Sequence, residues 1–219
     1  MSIRKIPFAS GQYFHIYNRG NSKQVIFKDK KDHDYFIKLL FLSNGRESFK
    51  IQQIKDDSVY NFNRGQPLVE IGVYSLMPNH FHLLITPTKE GSVSKFMQKL
   101  STGYSMYFNK KYERTGTLFE GKFKSQHADN DRYLKYLFSY IHLNPLKIRF
   151  PDWKEKGFKN KTEAFNFLKG YSFSSYLDYL DSNRTQKCII NNTSFPKYFS
   201  TATSFKEELF DWLNFNLDH

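Results

Sequence analysis

Leu76-Met77-Pro78-Asn79-His80-Phe81-His82-Leu83-Leu84-Ile85 joins a turn signal to an apolar run, with two histidines around one phenylalanine. Pro-Asn marks a turn, and the residues beyond it read as a β-strand. Side chains at i and i+2 of a strand share a face. His80 and His82 therefore stand side by side, while Phe81, Leu83 and Ile85 turn the other way into a core. The preceding stretch, Leu68 to Met77, also reads as a strand, and the short turn makes the two antiparallel neighbours. Two imidazoles on one face hold a divalent metal or bind an anion. The pair alone is an incomplete site, and an HxH strand is more often structural than metal-binding, so the rest of the chain must supply what completes it.

Working back towards the N-terminus, residues 12–18 alternate and are rich in β-formers. Phe14 and Ile16 take one face; Tyr13, His15 and Tyr17 take the other, and Asn18 to Asn21 form a turn. Asp29 to Ser43 has helical spacing, with Asp29 or Asp32 as its cap. Phe49 to Ile54 is expected to be a strand, and the polar stretch Asp56 to Gln66 a hairpin excursion.

Towards the C-terminus, Gly91-Ser92 opens a second helix running to about Asn109, with Phe96, Leu100, Tyr104 and Phe108 in its apolar stripe. Residues 110–125 carry five cations, two anions, two glycines and three rings. That mixture suits a loop tracking a nucleic-acid strand, although a solvated linker has the same composition. Asp129-Asn130-Asp131 caps a third helix, which Pro145 is expected to end at Asn144. Tyr140 and Asn144, four apart, share a face of this helix. His142 lies roughly 200° around from Tyr140 and is left out of the site. Glu163 to Leu168 and Ser204 to Leu217 look helical, and Tyr171 to Leu180 is a further aromatic segment.

The 219 residues suit one generous domain or one domain with an appendage. Mean hydropathy is −0.64 despite 23 Phe and 15 Tyr, and no apolar run approaches a bilayer span. A single cysteine excludes an intrachain disulfide framework and a cysteine-based zinc site. The absence of a signal-peptide pattern points to the cytoplasm, with association to the nucleoid as the matching expectation. Net charge is +12. Residues 1–150 carry 24 of the 33 Lys and Arg but 12 of the 21 Asp and Glu, so the remaining 69 residues are neutral. Basic surface interleaved with rings suits a nucleic-acid strand, and on charge alone a basic, soluble surface with no partner fits equally well.

Three segments in order, Met77 to Leu84, Thr115 to Ser125 and Tyr140-Ile141-His142-Leu143-Asn144-Pro145, resemble the single-tyrosine HUH transposases. Within that group the chain is most similar to the REP-associated tyrosine transposases. The likeness covers residues 10–150, and Tyr171 to Tyr176 resembles a segment further downstream. Phe119 and Lys122 stand where close relatives often carry Trp and Arg, a departure that touches DNA recognition rather than chemistry.

The resemblance implies an α+β, ferredoxin-like sandwich: a central antiparallel sheet with the histidines on an inner strand and helices on one face. Residues 1–150 would form the catalytic domain, and 151–219 a mostly helical extension packed on or near it. His80 and His82 would bind Mg²⁺ or Mn²⁺, Asn144 would complete the metal site, and Tyr140 would be the nucleophile. The implied activity is cleavage and strand transfer of single-stranded, hairpin-forming DNA through a 5′-phosphotyrosine, by a monomer or homodimer and with no membrane partner. Arg19, Arg114, Lys122, Lys124 and His15 are expected to contact DNA, on grounds of charge and placement. Two rivals stand beside this reading. One is a ferredoxin-like module that binds single strands without cutting; the other is a zinc hydrolase, which lacks a nearby acidic base and a third strong ligand.

Overall fold

The computed structural model, described over residues 6–158, 160–180, 182–199 and 201–214, places the histidine strand inside a four-stranded sheet of order β2-β3-β1-β4. The strands are β1 (Tyr13–Arg19), β2 (Val69–Met77), β3 (His80–Pro87) and β4 (Lys124–Ala128). All neighbours are antiparallel. With helices α1 (Lys30–Ser43) between β1 and β2 and α2 (Ser92–Lys111) between β3 and β4, this is the ferredoxin-like order.

β4 begins in the last two residues of the stretch expected to be a loop, Lys124 and Ser125, and runs on through three residues to which the sequence assigns no element. Its sequence, Lys-Ser-Gln-His-Ala, has no apolar alternation because it is an edge strand with much of its length in solvent. Two further expectations are corrected. Phe49 to Ile54 holds only a 3₁₀ turn at Ile51–Gln53, and Phe49, Ile51 and Ile54 pack on the core instead of pairing. Asp56 to Gln66 is no hairpin; it contains a 3₁₀ helix, Asp56–Asn61, that buries Val59.

Phe14, Ile16, Phe81, Leu83 and Ile85 face the main core with α1 and α2. Asp29 and Asp32 both cap α1, each side chain accepting from the other's backbone N–H. Asp32 also accepts from Lys111 Nζ (2.6 Å) and the Tyr112 hydroxyl (2.7 Å), tying α1 to α2.

Helices are not confined to one face, as the resemblance implied. Val73 and Leu84 make the opposite face apolar too, and α3 (Asp131–Leu143) covers it with Leu134, Leu137, Phe138 and Ile141. Asn144 keeps helical angles (φ −55°, ψ −39°) ahead of Pro145, and the chain continues as a short α4 (Leu146–Arg149). Pro145 therefore interrupts the helix without redirecting the backbone at Asn144, since its ring stands at the start of the next turn, where no amide donor is needed.

The extension contributes α5 (Trp153–Lys156), α6 (Lys161–Gly170) and α7 (Ala202–Asn214). Residues 215–217 of the helix expected there lie outside the described residues. Leu143 and Leu146 share a second apolar cluster with Trp153, Leu168, Tyr176 and Phe205. Between α6 and α7 the chain runs back along β2. Leu76 N donates to Phe173 O (3.0 Å), Asn191 N to Ile71 O (2.8 Å) and the Tyr179 hydroxyl to Gly72 O (2.9 Å). Gly72 sits at a register shift in β2, where a Cβ would stand 2.9 Å from the Phe195 ring. Among the described residues no helix is long and apolar enough to cross a membrane.

One buried ion pair locks this return strap. Arg184 reaches both oxygens of Asp178 (2.6 and 2.7 Å), whose side chain is fully buried, and also donates to Ser174 O and the Tyr74 hydroxyl. Asp178→Ala leaves that guanidinium half-desolvated and unpaired. The expected loss is about 3–5 kcal/mol in urea unfolding. A loss below ~1 kcal/mol would show that water reaches the pair.

Candidate active site

The strand register assembles the histidine face. His82 pairs with Tyr17 of β1 and Ser75 of β2, and His80 with Arg19 and Met77. Directly paired residues of antiparallel strands point the same way. His15, Tyr17 and Arg19 thus share the side of the sheet that carries His80 and His82. Lys124, paired with Tyr17, joins the same row from β4.

Hydrogen bonds fix the two rings. His80 Nδ1 lies 2.6 Å from Asn79 Oδ1, an acceptor, so that nitrogen carries the proton. His82 Nδ1 lies 2.8 Å from His15 Nε2. With His82 donating, the Nε2 lone pairs of both rings are left free of hydrogen-bond partners among the described residues. The rings stand 5.0 Å apart at 87°. Burial holds His80 neutral, with its pKa lowered to about 4, helped by Lys147 and Arg19. His82, 6% exposed, is held well below the usual range by burial and then by its histidine and lysine neighbours.

α3 brings the phenol to this pair within the same chain. The Tyr140 ring lies 5.7 Å from the His82 ring and 6.0 Å from His15, edge-on to both. Burial raises the Tyr140 pKa, and the Asn144 amide beside it pulls the other way. Asn144 is buried, and its Nδ2 has no partner. Buried polar atoms are rarely left so; Nδ2 carries N–H donors, so this orphan calls for an acceptor such as a phosphate oxygen, while a cation would be held through Oδ1. Two neutral imidazoles and the amide oxygen of Asn144 fit a divalent ion. No group of three or more His, Cys, Asp or Glu is placed to hold a metal among the described residues.

The sequence profile of the IS200-like transposases matches residues 10–144, a span holding all four sheet strands, both histidines, Tyr140 and Asn144. The chain belongs to that family. Among solved structures it is similar to a REP-associated tyrosine transposase bound to a REP hairpin, at 13% identity and a TM-score of 0.50. The alignment covers 82% of this chain and 84% of the other. At that identity the likeness bears on the fold alone. No curated protein matches the chain in sequence.

Within this transposase fold the expected DNA contacts separate. Lys122 and Lys124 are exposed, in the loop and on the edge strand beside β1. Arg19 is paired with Glu120, whose Oε1 accepts from Nη2 at 2.8 Å. Such an exposed pair is weak enough to yield to a phosphate. Arg114 packs on α2, donating to Asn109 Oδ1 with its guanidinium 5.6 Å from the Phe108 ring. His15 does not serve as a surface contact: it is 5% exposed and lies behind His82.

Lys154 of α5 escapes notice in the sequence because the neutral extension hides it, yet its Nζ stands 4.7 Å from the Tyr140 ring centre. Tyr17, 5.9 Å from His82, is likewise on the site face and was legible only as a strand position.

His142 stays out of the site, as its position on the helix requires. It is fully buried, Nδ1 donating to Phe138 O (2.8 Å) and Nε2 accepting from the Ser175 hydroxyl (2.9 Å). Burial lowers its pKa to about 3. The unfolded chain takes up a proton below pH 6.5, and the folded one does so only near pH 3. Its contribution to stability is therefore complete above pH 6.5 and lost as pH falls towards 3. At pH 5 the loss from this residue is about 2 kcal/mol. Denaturation at pH 7.5 and 5.0 should show a smaller drop for His142→Leu than for the parent, by that amount. Equal drops would mean that the ring is charged in the fold.

Proposed function

We propose that this protein cleaves and rejoins single-stranded DNA, in hairpin-forming substrates, through a 5′-phosphotyrosine at Tyr140. The observation that carries this reading is the phenol of α3 edge-on to His82, 5.7 Å between ring centres, with no second chain required. His80, His82 and Asn144 would hold Mg²⁺ or Mn²⁺. A bound ion supplies Lewis-acid polarisation of a phosphoryl oxygen.

The chain's own groups do the rest. The Tyr140 oxygen bonds to phosphorus as the bond to the 3′ oxygen breaks. The phenol gives up a proton and the departing 3′ oxygen takes one, so none is consumed overall. The Tyr140 pKa is raised by burial, so the free phenol keeps its proton and must lose it as attack occurs. Lys154, poised over the ring, favours the developing negative charge. The returning 3′-hydroxyl reverses the step, and no nucleotide cofactor is needed because bond energy is kept in the ester.

His15 acts through His82. By accepting from Nδ1 it selects the tautomer in which Nε2 is the ligand, the role that outer hydrogen-bond partners play around metal-bound histidines. Arg19, Lys122 and Lys124 would hold the DNA backbone, together with Arg114, which packs against α2.

The test is incubation of labelled hairpin oligonucleotides with the protein and Mn²⁺. A protein–DNA adduct that survives denaturation supports the transposase chemistry. Tight, salt-sensitive binding without an adduct in any divalent metal would leave only the binding module.

A further inference from the structure

We propose that the cavity beside Tyr140 is a nucleobase pocket, taking one unpaired base of the strand next to the scissile phosphate. It has a volume of about 210 Å³ and is lined by Tyr136, Tyr140, Leu143, Trp153, Lys154 and Trp212. Four of the six are aromatic. Tyr136 stacks towards Tyr140 (5.5 Å, 30°) on one side and stands 4.8 Å from Trp212 on the other. Flat walls of this kind fit a planar ring, and base–aromatic stacking accepts any base because each has a π-face.

The charge argues for a nucleotide over a neutral apolar ligand. Lys154 lies 4.7 Å from the Tyr140 ring centre and 5.7 Å from that of Trp153, with no ion pair among the described residues. Glu155 acts on this ammonium only at a distance, so an ammonium held on rings with no carboxylate bonded to it is ready for a phosphate oxygen. Position argues for DNA next to the reacting bond, because the wall on one side is the Tyr140 ring itself. A base seated here keeps its own phosphate within reach of that phenol. An unpaired base enters most cheaply, having no stacking or pairing to lose.

The pocket also gives the extension a purpose. Trp153 and Lys154 come from α5 and Trp212 from α7, so the walls opposite α3 are built wholly by residues beyond Phe150. This inference rests on the reading of Tyr140 as nucleophile, which supplies the reason for a base at that point.

The two tryptophans of the chain both line the cavity, so intrinsic fluorescence reports on it. The full chain is titrated with each of the four deoxynucleoside 5′-monophosphates and, separately, with deoxyribose 5-phosphate. At least one nucleotide should quench saturably, and the sugar phosphate should bind far more weakly. Tyr136→Leu should weaken that nucleotide by about 5- to 150-fold, the scale of a stacking contact. Lys154→Gln should weaken nucleotide binding and flatten its salt dependence. Four results would overturn the pocket: no saturable quenching by any nucleotide, equal binding of the sugar phosphate, unchanged affinity in Tyr136→Leu, or unchanged affinity and salt dependence in Lys154→Gln. Nucleotide binding without any adduct on hairpin DNA would strike the Tyr140 reading and leave the pocket standing.

Discussion

Tyr140→Phe is expected to abolish the denaturation-resistant adduct and to lower cleavage of hairpin DNA by at least about 10⁴-fold, the scale of losing a nucleophile. The substitution removes one oxygen and keeps the ring. The edge-on contacts to His82 and His15 and the stacking on Tyr136 survive, so the fold and the DNA affinity should stay close to the parent's. Cleavage and binding are read separately, by adduct on a denaturing gel and by anisotropy of a labelled hairpin. An adduct that persists in the Phe variant would transfer the nucleophile elsewhere. Tyr17 is then the nearest alternative phenol, 5.9 Å from His82 between ring centres, and Tyr17→Phe makes the paired control.

His80→Ala should remove metal binding and cleavage together while sparing DNA affinity. His80 stands at the first position of β3, partly buried but a member of neither apolar cluster flanking the sheet, so truncating it opens no cavity in those cores. Losing a direct donor should weaken Mn²⁺ by more than the 10- to 100-fold typical of an outer hydrogen-bond partner. Calorimetric titration of Mn²⁺ reads this without any substrate. DNA affinity, carried by lysines and arginines on phosphates, should keep its steep salt dependence in the variant. Equal loss of metal and DNA binding would mean that the metal holds the strand as well as activating it. His15→Phe makes a graded counterpart: the donors remain, the tautomer of His82 is freed, and Mn²⁺ affinity should fall by about 10- to 100-fold.

The two experiments separate the parts of the site. Tyr140 is placed by α3 and the histidines by β3, and these elements meet through Leu84 and Val73 packing on Leu137 and Ile141. A variant that loosens this packing would disturb both readouts at once, whereas loss of one functional atom should disturb only its own.

Local periodicity in the sequence was enough to locate β1, β2, β3 and the three long helices, because residues two apart in a strand or four apart in a helix meet whatever the rest of the chain does. It therefore paired His80 with His82, put Tyr140 with Asn144, and turned His142 away. What periodicity cannot encode is which face of one element rests on which face of another. The polar edge strand β4, the covering of the second sheet face by α3, and the placement of His15 behind His82 were settled only when distant apolar surfaces were buried together. The same holds for Lys154 and Trp212. They stand beside Tyr140 because the extension packs around Leu143 and Leu146, a contact between segments that no local spacing announces.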